Sequence, residues 1–407
     1  MTVIVVGAGA AGLIAAGTAA KTADKVVLIE KNDTVGKKVR ITGKGRCNIT
    51  NACDTEDMIE MYPVNGRFLY SALYTFTNDD IVSLLEDYGV KTKVERGNRV
   101  FPVSDDARDV VKALRKYALQ ENVRLVRAEV RSVLIENGEV KGVNTSSGRI
   151  MGERVILCTG GASYPRTGSD GSGYRLAKAA GHTIIKPVPS LVPLVTEEKW
   201  VKDVMGLSLR NAEVTAYKAD GKKISSGRGE MLFTHFGVSG PLILSLSAHI
   251  KNFKEEGCTI KIDLKPALSE QQLDARILRD FEQQKNKHII NALDALLPKK
   301  LIPVVIGLSG LEAHKSVNEI TKQERRRLGE TIKGLSLHIT GFRPIEEAIV
   351  TSGGVKTSEI NSSTMESKKV KGLYFAGELI DVDGYTGGFN LQAAWSTGYL
   401  AGMNAGG

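Results

Sequence analysis

The residues with the clearest chemical meaning lie near the N-terminus, where three glycines and one carboxylate stand at a recognisable spacing. Gly7, Gly9 and Gly12 form the pattern G-x-G-x-x-G, and Glu30 follows 18 residues after the last of them. In a nucleotide fold the first glycine allows a tight turn, the second lets a pyrophosphate approach the backbone, and the third lets a helix pack on a strand. A carboxylate at this distance can bind a ribose hydroxyl. The spacing favours a dinucleotide-binding turn over a plain strand–helix–strand core unit.

The flanking residues predict the elements that such a turn requires. Thr2–Val6 and Val26–Ile29 are short apolar, β-branched runs, which are typical of buried parallel strands. Leu13–Ala20 is small and apolar, as expected of a helix lying against a sheet. Ala10 and Ala11 would then stand at the start of that helix, where free N–H groups and the helix dipole hold phosphate.

A polar, glycine-rich segment follows Glu30 and Lys31. Residues 35–51 (VGKKVRITGKGRCNITN) show neither helical nor strand periodicity. Such a loop can run along an extended anionic cofactor, with Lys38 and Arg46 meeting phosphates and Gly45 permitting close approach of the backbone. The other interpretation is a solvated surface loop.

The middle of the chain returns to the same fold. Residues 128–161 contain three apolar runs separated by the turn dipeptides NG and SG, which predicts a three-stranded meander. A buried strand then enters the turn formed by Thr159, Gly160 and Gly161. This order of elements is typical of flavoproteins with two dinucleotide folds, in which the T-G turn passes close to the cofactor. In that arrangement the backbone of Val130 would lie near an adenine.

A second cluster of turn residues follows a buried strand near the C-terminus. The carboxylate of its glycine–glutamate turn can bind a ribityl hydroxyl, and a glycine pair can bring the backbone close to a ring. The helix that follows would point its N-terminus at the C2 carbonyl of an isoalloxazine. A nicotinamide cofactor needs no such distant element, so the sequence favours FAD as the tightly held cofactor. The residues expected to contact it here are Gly377, Glu378, Gly387, Gly388, Asn390 and Leu391.

The composition changes twice along the chain and predicts an insertion. Short β-type runs begin after Ser190, a mainly helical stretch follows, and a strand precedes the return to the nucleotide fold. We therefore expect an α/β protein with a Rossmann-like FAD-binding domain, an inserted β-domain and a helical insert. The expected boundaries are residues 1–190 and 345–407 for the FAD-binding domain, 191–265 and 335–344 for the β-domain, and 266–334 for the helical insert.

Composition limits the classes of protein that the chain can belong to. The 407 residues are 42% hydrophobic and 25% charged, and no apolar run is long enough to span a membrane. Four cysteines without a disulfide pattern suit a reducing compartment, so we expect a cytoplasmic protein. The net charge of +9 can attract a nucleic acid or simply anionic cofactors and substrates, but the basic residues are scattered, which favours a solvated surface. No feature indicates an oligomeric state.

Several long motifs resemble a bacterial family described as NAD(FAD)-utilising dehydrogenases or aminoacetone-oxidase-like FAD proteins, which includes a bile-acid enone reductase. The resemblance implies an FAD domain, an inserted β-domain and a helical insert. The T-G-G and C-terminal parts also resemble fumarate-reductase-type flavoproteins, which reduce activated C=C bonds. The motifs that carry the resemblance are the glycine fingerprint, GKGRCNITN (43–51), TGGASYPRTGSDGSGY (159–174), GEMLFTHFGVSGP (229–241), GGV (353–355), TMESK (364–368) and GLYFAGELIDVDGYTGGFNLQAAWSTG (372–398).

Candidates for the chemical step lie in the glycine-rich loops. His235, in FTHFGVSG, can donate a proton above a flavin, although a structural histidine is the plainer interpretation. Tyr164 and Arg166 are expected to face the ring, and Arg166 can orient a substrate carboxylate or carbonyl. Cys47 is a candidate neighbour of the flavin, but its C-x5-C spacing to Cys53 differs from the C-x4-C of disulfide reductases. No cysteine or histidine spacing indicates a metal site.

The sequence thus predicts an FAD-dependent oxidoreductase that passes hydride from NAD(P)H through flavin N5 to a small activated, enone-like substrate. No second glycine fingerprint is present, so NAD(P)H would bind transiently over the flavin. The alternatives are an amine oxidase that uses O2, an RNA-modifying flavoprotein, and a flavin-binding redox sensor without turnover.

Overall fold

The computed structural model describes residues 1–250 and 257–407. The described chain divides into two compact units, one formed by Met1–Ser190 with Pro344–Gly407 and the other by Leu191–Arg343. Each unit has its own hydrophobic core. None of the helices in these described residues is long and apolar enough to cross a membrane.

Strands contribute to the hydrophobic cores of both units in the described part of the chain. In chain order they are β1 (Thr2–Val6), β2 (Lys25–Glu30), β3 (Thr50–Asn51), β4 (Thr92–Glu95), β5 (Arg99–Pro102), β6 (Val123–Arg127), β7 (Val130–Glu136), β8 (Glu139–Thr145), β9 (Gly148–Met151), β10 (Arg154–Leu157), β11 (Ile184–Ser190), β12 (Leu194–Thr196), β13 (Ser208–Lys218), β14 (Lys223–Thr234), β15 (Gly237–Ser239), β16 (Cys258–Asp263), β17 (Leu335–Phe342), β18 (Val350–Val355) and β19 (Leu373–Phe375).

The α-helices alternate with these strands in the first unit and cluster between β16 and β17 in the second. In chain order they are α1 (Ala10–Ala19), α2 (Lys37–Ile41), α3 (Thr55–Glu60), α4 (Tyr70–Thr75), α5 (Asn78–Asp87), α6 (Ala107–Ala118), α7 (Ser172–Ala179), α8 (Pro241–Ser247), α9 (Glu270–Glu282), α10 (Ile289–Ala292), α11 (Ile302–Leu308), α12 (Lys322–Lys333) and α13 (Phe389–Gly406).

A five-stranded parallel sheet is the centre of the first unit. Its strand order is β19-β10-β1-β2-β6. The apolar residues of β1, β2 and β10 are buried on both faces, which is why these strands read as continuous hydrophobic runs. The predicted Rossmann-like α/β fold is confirmed.

Glycines on α13 let it lie directly on α1. A Cβ atom at Gly398 would stand 2.4 Å from the carbonyl oxygen of Ala11, and one at Gly402 would stand 2.5 Å from that of Ala15. Any larger residue at either glycine would force the helices apart. This close packing fixes the start of α13 relative to the start of α1.

Smaller sheets flank the parallel sheet. The predicted meander forms the antiparallel sheet β7-β8-β9, and a second small sheet has the order β3-β5-β4. Strands β11 and β18 pair antiparallel next to the ends of the first unit's two chain segments. Residues Asn51 and Arg99 are register partners in the small β3-β5-β4 sheet.

The second unit is a closed antiparallel barrel with helices packed against it. The strand order around the barrel is β12-β15-β14-β13-β16-β17. Apolar residues of α9 and α12 share one core with β16, so the helices of residues 266–334 belong to the same compact unit as the barrel. Both helices begin with capping boxes, Ser269 with Gln272 and Thr321 with Glu324, which the patterns S-x-x-Q and T-x-x-E predict.

One helix of this unit is shorter than its sequence suggested. The apolar pattern of residues 287–297 predicts one helix over this range, but α10 covers only Ile289–Ala292. Leu293, Leu296 and Leu297 are nevertheless buried in the shared core. Their burial satisfies the apolar pattern without a continuous helix.

Candidate functional site

The glycine turn between β1 and α1 has two glycines that the fold requires and one that it does not. Gly7 has a φ of +99°, and a Cβ atom there would stand 2.6 Å from the carbonyl oxygen of Cys158. A Cβ atom at Gly12 would stand 1.8 Å from the carbonyl oxygen of Gly7. A Cβ atom at Gly9 would meet nothing within 4 Å.

The space in front of Gly9 is therefore an open cradle at the start of α1. No side chain caps this helix, and Ala10 and Ala11 are the residues of its first turn. Uncapped N–H groups beside an open cradle suit a pyrophosphate. The residues present fit the phosphate part of a dinucleotide.

Glu30 ends β2 beside this cradle, and its carboxylate is held in place from two sides. One oxygen accepts a hydrogen bond from the backbone N–H of Ala8 at 2.8 Å, and the other accepts from the backbone N–H and the side-chain amide of Asn32 at 2.9 and 2.7 Å. The Asn32 amide also donates to the carbonyl of Thr167 at 3.1 Å. Carboxylate oxygens have further lone pairs, so Glu30 can still accept from a ribose hydroxyl.

A cleft of about 490 Å³ lies next to Glu30, lined in part by Lys31, Ala128 and Glu129. Ala128 and Glu129 directly precede Val130, the first residue of β7. The cleft therefore lies between Glu30, the candidate ribose ligand, and the start of the meander. Its position suits an adenine and its ribose.

An ion pair closes one side of this cleft. The Lys31 ammonium lies 2.8 Å from the carboxylate of Asp170. Partial burial would raise the pKa of Asp170, but the hydrogen bonds and charge of Lys31, with hydrogen bonds from Ser172, outweigh it and lower the pKa to about 2. Asp170 is therefore ionised throughout the neutral range.

The turns at the carboxyl ends of three neighbouring strands meet in front of the sheet. A Cβ atom at Gly377 would stand 3.0 Å from that of Ala11. A Cβ atom at Gly161 would stand 2.8 Å from a carboxylate oxygen of Glu378, and Thr159 packs so closely on α7 that Gly173 has no room for a side chain. The glycine turn, the T-G-G turn that includes Gly160, and the glycine–glutamate turn therefore line one edge, where ligands of such sheets bind.

A hydrogen-bonded ion pair occupies this edge. The Lys38 ammonium lies 2.6 Å from the carboxylate of Glu378 and 2.6 Å from the hydroxyl of Ser163. The other Glu378 oxygen accepts from the Ser163 hydroxyl at 3.1 Å and from the backbone N–H of Thr351 at 2.9 Å. Lys38 thus faces a carboxylate, whereas we expected it to stand free for a phosphate.

Arg46 is likewise engaged by the protein. Its guanidinium pairs with the carboxylates of Glu95 and Asp105 and stacks over the ring of Phe101, with 4.1 Å between the guanidinium carbon and the ring centroid. The phosphate contact expected for Arg46 has no support in this arrangement, because both neighbouring carboxylates already neutralise it. Gly45 is open, since a Cβ atom there would meet only a carbonyl oxygen at 4.0 Å.

Cys47 is a buried thiol. Its side chain is fully buried, and this burial raises its pKa to about 12 despite a hydrogen bond with Thr42. A thiolate is not available at neutral pH, so the structure argues against Cys47 as a reactive group. Cys47 and Cys53 are both free, and burial also raises the pKa of the half-buried Cys53.

The start of α13 is tied to the glycine loop before it. No side chain caps the helix. The Asn390 side chain accepts from the backbone N–H of Gly384 at 2.9 Å and donates to its carbonyl at 2.7 Å. Gly388 lies against the backbone of Thr50, where a Cβ atom would stand 2.3 Å away, and Gly387 and Leu391 are partly exposed. The loop is thereby fixed with an open helix N-terminus behind it.

The candidate chemical residues fall in different units. Tyr164 and Arg166 lie in the first unit, where Tyr164 is half-buried with a left-handed φ of 54° and Arg166 is exposed. Burial, with the charge of Glu347, raises the pKa of Tyr164. His235 lies in the second unit and is exposed, with its ring edge-on to Phe236 at 5.0 Å between centroids.

Four polar residues that fix the site escaped the sequence reasoning: Asn32, Asn51, Ser163 and Thr351. Asn51 and Ser163 lie within motifs that carry the family resemblance, Thr351 lies two residues before the motif GGV, and Asn32 lies two residues after Glu30. Their type alone carried no signal, since Ser, Thr and Asn are common in solvated loops.

Some of the scattered basic residues are paired with carboxylates. Arg325 pairs with Asp274, and Lys371 pairs with Glu139. No group of three or more His, Cys, Asp or Glu side chains within the described part of the chain is arranged to hold a metal ion.

Comparison with known proteins connects these features to a family. The model of the HI0933-like protein Rossmann domain matches residues 1–404. The chain is 33% identical to a 3-dehydro-bile acid delta(4,6)-reductase of Clostridium scindens, over 98% of both proteins. It is also 33% identical to a ribosomal RNA dihydrouridine synthase of Haemophilus influenzae, over 98% of this chain and 97% of the relative.

A solved structure supports the fold across the whole chain. The 3-ketosteroid delta1-dehydrogenase of Sterolibacterium denitrificans superposes with a TM-score of 0.52 at 13% identity, covering 100% of this chain and 99% of the other. At this identity the similarity concerns the fold.

Proposed function

The chain belongs to the HI0933-like family of FAD-binding Rossmann proteins, whose relatives are FAD-dependent oxidoreductases, and from this premise we propose that it reduces a C=C bond conjugated to a carbonyl group. The observation that carries the proposal is the chemistry common to the two relatives at equal identity. A delta(4,6)-reductase of a 3-oxo steroid and a dihydrouridine synthase both saturate a C=C bond conjugated to a carbonyl. The shared reaction is a stronger guide than either substrate.

The cofactor assignment is supported by the geometry of the first unit. The cradle at Gly9 would hold the pyrophosphate, Glu30 the adenosine ribose, and Glu378 a ribityl hydroxyl, with the N-terminus of α13 beyond it. Bound FAD would supply two-electron chemistry between a nicotinamide donor and the β-carbon of the substrate.

The protein's own contribution would be the proton and the orientation of the carbonyl. The raised pKa of Tyr164 keeps its hydroxyl protonated at neutral pH, so it can donate the proton that the α-carbon requires. The exposed Arg166, two residues further on, can bind the carbonyl oxygen. His235 is the alternative proton donor. The balance is one hydride and one proton added across the double bond, with NAD(P)H oxidised to NAD(P)+.

Anaerobic spectroscopy tests this proposal. The holoprotein is mixed with NADH, NADPH or a primary amine, and the flavin absorbance is followed. We expect bleaching by a nicotinamide and reoxidation by a 3-oxo-4-ene steroid. Bleaching by the amine with no response to either nicotinamide would instead support an amine oxidase. In Tyr164→Phe we expect bleaching to persist and reoxidation to slow by roughly 10²-fold or more, the contribution of a general acid.

Uracil in RNA is the second candidate substrate. Residues 191–343 contain 24 Lys and Arg and 18 Asp and Glu, which gives this unit a net charge of +6 out of the +9 of the whole chain. This asymmetry, together with the relative that is named for ribosomal RNA, favours RNA over other polymeric substrates. Incubating the holoprotein with NADPH and either a steroid enone or ribosomal RNA, followed by mass spectrometry, distinguishes the substrates by which one gains two hydrogens.

A further inference from the structure

A β-hairpin in the first unit presents arginines beside the glycine loop that precedes α13. The hairpin is formed by β4 and β5, and its tip reads Arg96-Gly97-Asn98-Arg99. Gly97 and Asn98 have left-handed φ values of 76° and 57°, so the tip is a defined turn.

Hydrogen bonds attach this tip to the neighbouring strand and loop. The amide of the buried Asn51 donates to the carbonyl of Gly97 at 3.0 Å and to that of Gly387 at 3.1 Å. The backbone N–H of Ala52 donates to the carbonyl of Asn98 at 2.7 Å. One side chain therefore bridges the hairpin tip and the loop at the start of α13.

Some charged side chains on and beside this hairpin form ion pairs, and two arginines at its tip form none within the described chain. Arg46 and Lys93 share the carboxylates of Glu95 and Asp105. Arg96 and Arg99 are exposed, and across residues 1–250 and 257–407 neither forms an ion pair. The Arg99 Nε donates to the carbonyl of Arg96 at 3.0 Å, which holds the two residues together.

We propose that Arg96 and Arg99 form an anion-binding rim that recognises a carboxylate or phosphate group of the substrate. This inference rests on the proposed function and on the expectation from sequence that Gly387 and Gly388 bring the backbone close to the flavin ring. A guanidinium presents planar paired donors that match a carboxylate or a phosphate. The rim would bind a group remote from the reacting double bond and determine which substrates are held. The anion is either the carboxylate of a small enone acid or a phosphodiester of RNA.

Equilibrium binding with matched charged and neutral probes tests the rim. A 3-oxo-4-ene bile acid and its methyl ester, and a uridine-containing oligonucleotide and free uridine, are titrated into the oxidised holoprotein by calorimetry. We expect one charged probe to bind more tightly than its neutral partner. Arg96→Gln with Arg99→Gln should weaken that probe about tenfold, as expected from losing a charge-assisted hydrogen bond, and leave its neutral partner unchanged.

A matched control is Arg149→Gln, an exposed arginine on β9 of the meander, which should change neither probe. Tighter binding by the acid alone identifies a carboxylate, and tighter binding by the oligonucleotide alone identifies a phosphate. Equal losses for a charged probe and its neutral partner, or no preference for either charged probe in the native protein, would overturn the rim.

Turnover separates this inference from the function on which it rests. Suppose that the neutral and charged enones reoxidise the NADPH-reduced flavin with the same KM, in the native protein and in the double variant. The proposed anion-binding rim is then wrong, while the proposed reductase function is retained. If no enone and no uridine reoxidises the flavin, the proposed function fails, while the binding titrations still decide whether the arginines recognise an anion.

Discussion

Replacing Lys38 by methionine tests the ion pair at the edge of the parallel sheet. The substitution removes the ammonium that bonds to Glu378 and Ser163 and keeps most of the aliphatic volume. The side chains of Lys38 and Glu378 are only 21% and 19% exposed. The carboxylate of Glu378 would therefore remain largely buried without its cation.

The expected cost lies between two known limits. Exposed ion pairs contribute about 0–1 kcal/mol, and removing one partner of a fully buried pair costs about 3–5 kcal/mol. The partial exposure of this pair indicates about 2 kcal/mol, which for a domain of this size is a fall in Tm of about 4–8 °C. Glu378 keeps two donors, the Ser163 hydroxyl and the Thr351 N–H, and these keep the cost below the upper limit.

Thermal unfolding of the FAD-loaded and FAD-free proteins measures this cost. Lys37→Met is the matched control, because Lys37 is the adjacent lysine and pairs with an Asp33 carboxylate that is 60% exposed. The double variant Lys38→Met with Glu378→Gln should lose less stability than the two single variants together, since no unpaired charge remains. An equal Tm for Lys38→Met and Lys37→Met, or additive losses in the double variant, would refute the reasoning.

Three further outcomes follow from the geometry. Gly9→Val places a branched side chain in the cradle, where a Cβ atom would meet no protein atom within 4 Å. The free energy of unfolding of the FAD-free protein should therefore change by no more than about 0.5 kcal/mol, while FAD binding is lost. Retained flavin absorbance would contradict the cradle. N-ethylmaleimide should label Cys53 and not Cys47 in the folded protein, because burial raises the Cys47 pKa to about 12; peptide mass spectrometry that finds Cys47 labelled would contradict this. The pKa of Asp170 is about 2 in the folded protein and near 3.9 in the unfolded chain, so the ionised carboxylate stabilises the fold above about pH 4. This contribution is lost as the pH falls towards 2, so the difference in Tm between the native protein and Asp170→Asn should shrink over this range. A constant difference would contradict the assignment.

Local patterns were sufficient where the chain makes contacts with near neighbours. Thr2–Val6 could be interpreted from its continuous apolar run, and Gly7 from the positive φ of its tight turn. Gly12 could be interpreted because a Cβ atom there would meet the carbonyl oxygen of Gly7, five residues earlier. The capping boxes at Ser269 and Thr321 are local for the same reason. Each depends on residues within a few positions of one another.

Long-range partners explain what the sequence could not supply. Lys38 and Arg46 are both cations in a glycine-rich segment, and nothing in the neighbouring sequence distinguishes their roles. Their partners lie far along the chain, Glu378 for the first and Glu95 with Asp105 for the second. Only the folded chain distinguishes a lysine paired at the carboxyl edge of the parallel sheet from an arginine paired with two carboxylates elsewhere in the unit.

The sequence by itself determined the α/β class, the dinucleotide-binding turn and the preference for FAD over a nicotinamide cofactor. It could do so because the spacing of glycines and carboxylates encodes backbone geometry directly. The tertiary structure decided which charges remain open for a ligand. Pairing between residues distant in sequence neutralises Lys38 and Arg46 and leaves Arg96 and Arg99 exposed. Burial likewise decided that Cys47 stays a thiol, since the pKa of a side chain depends on the solvent and charges that the whole fold places around it.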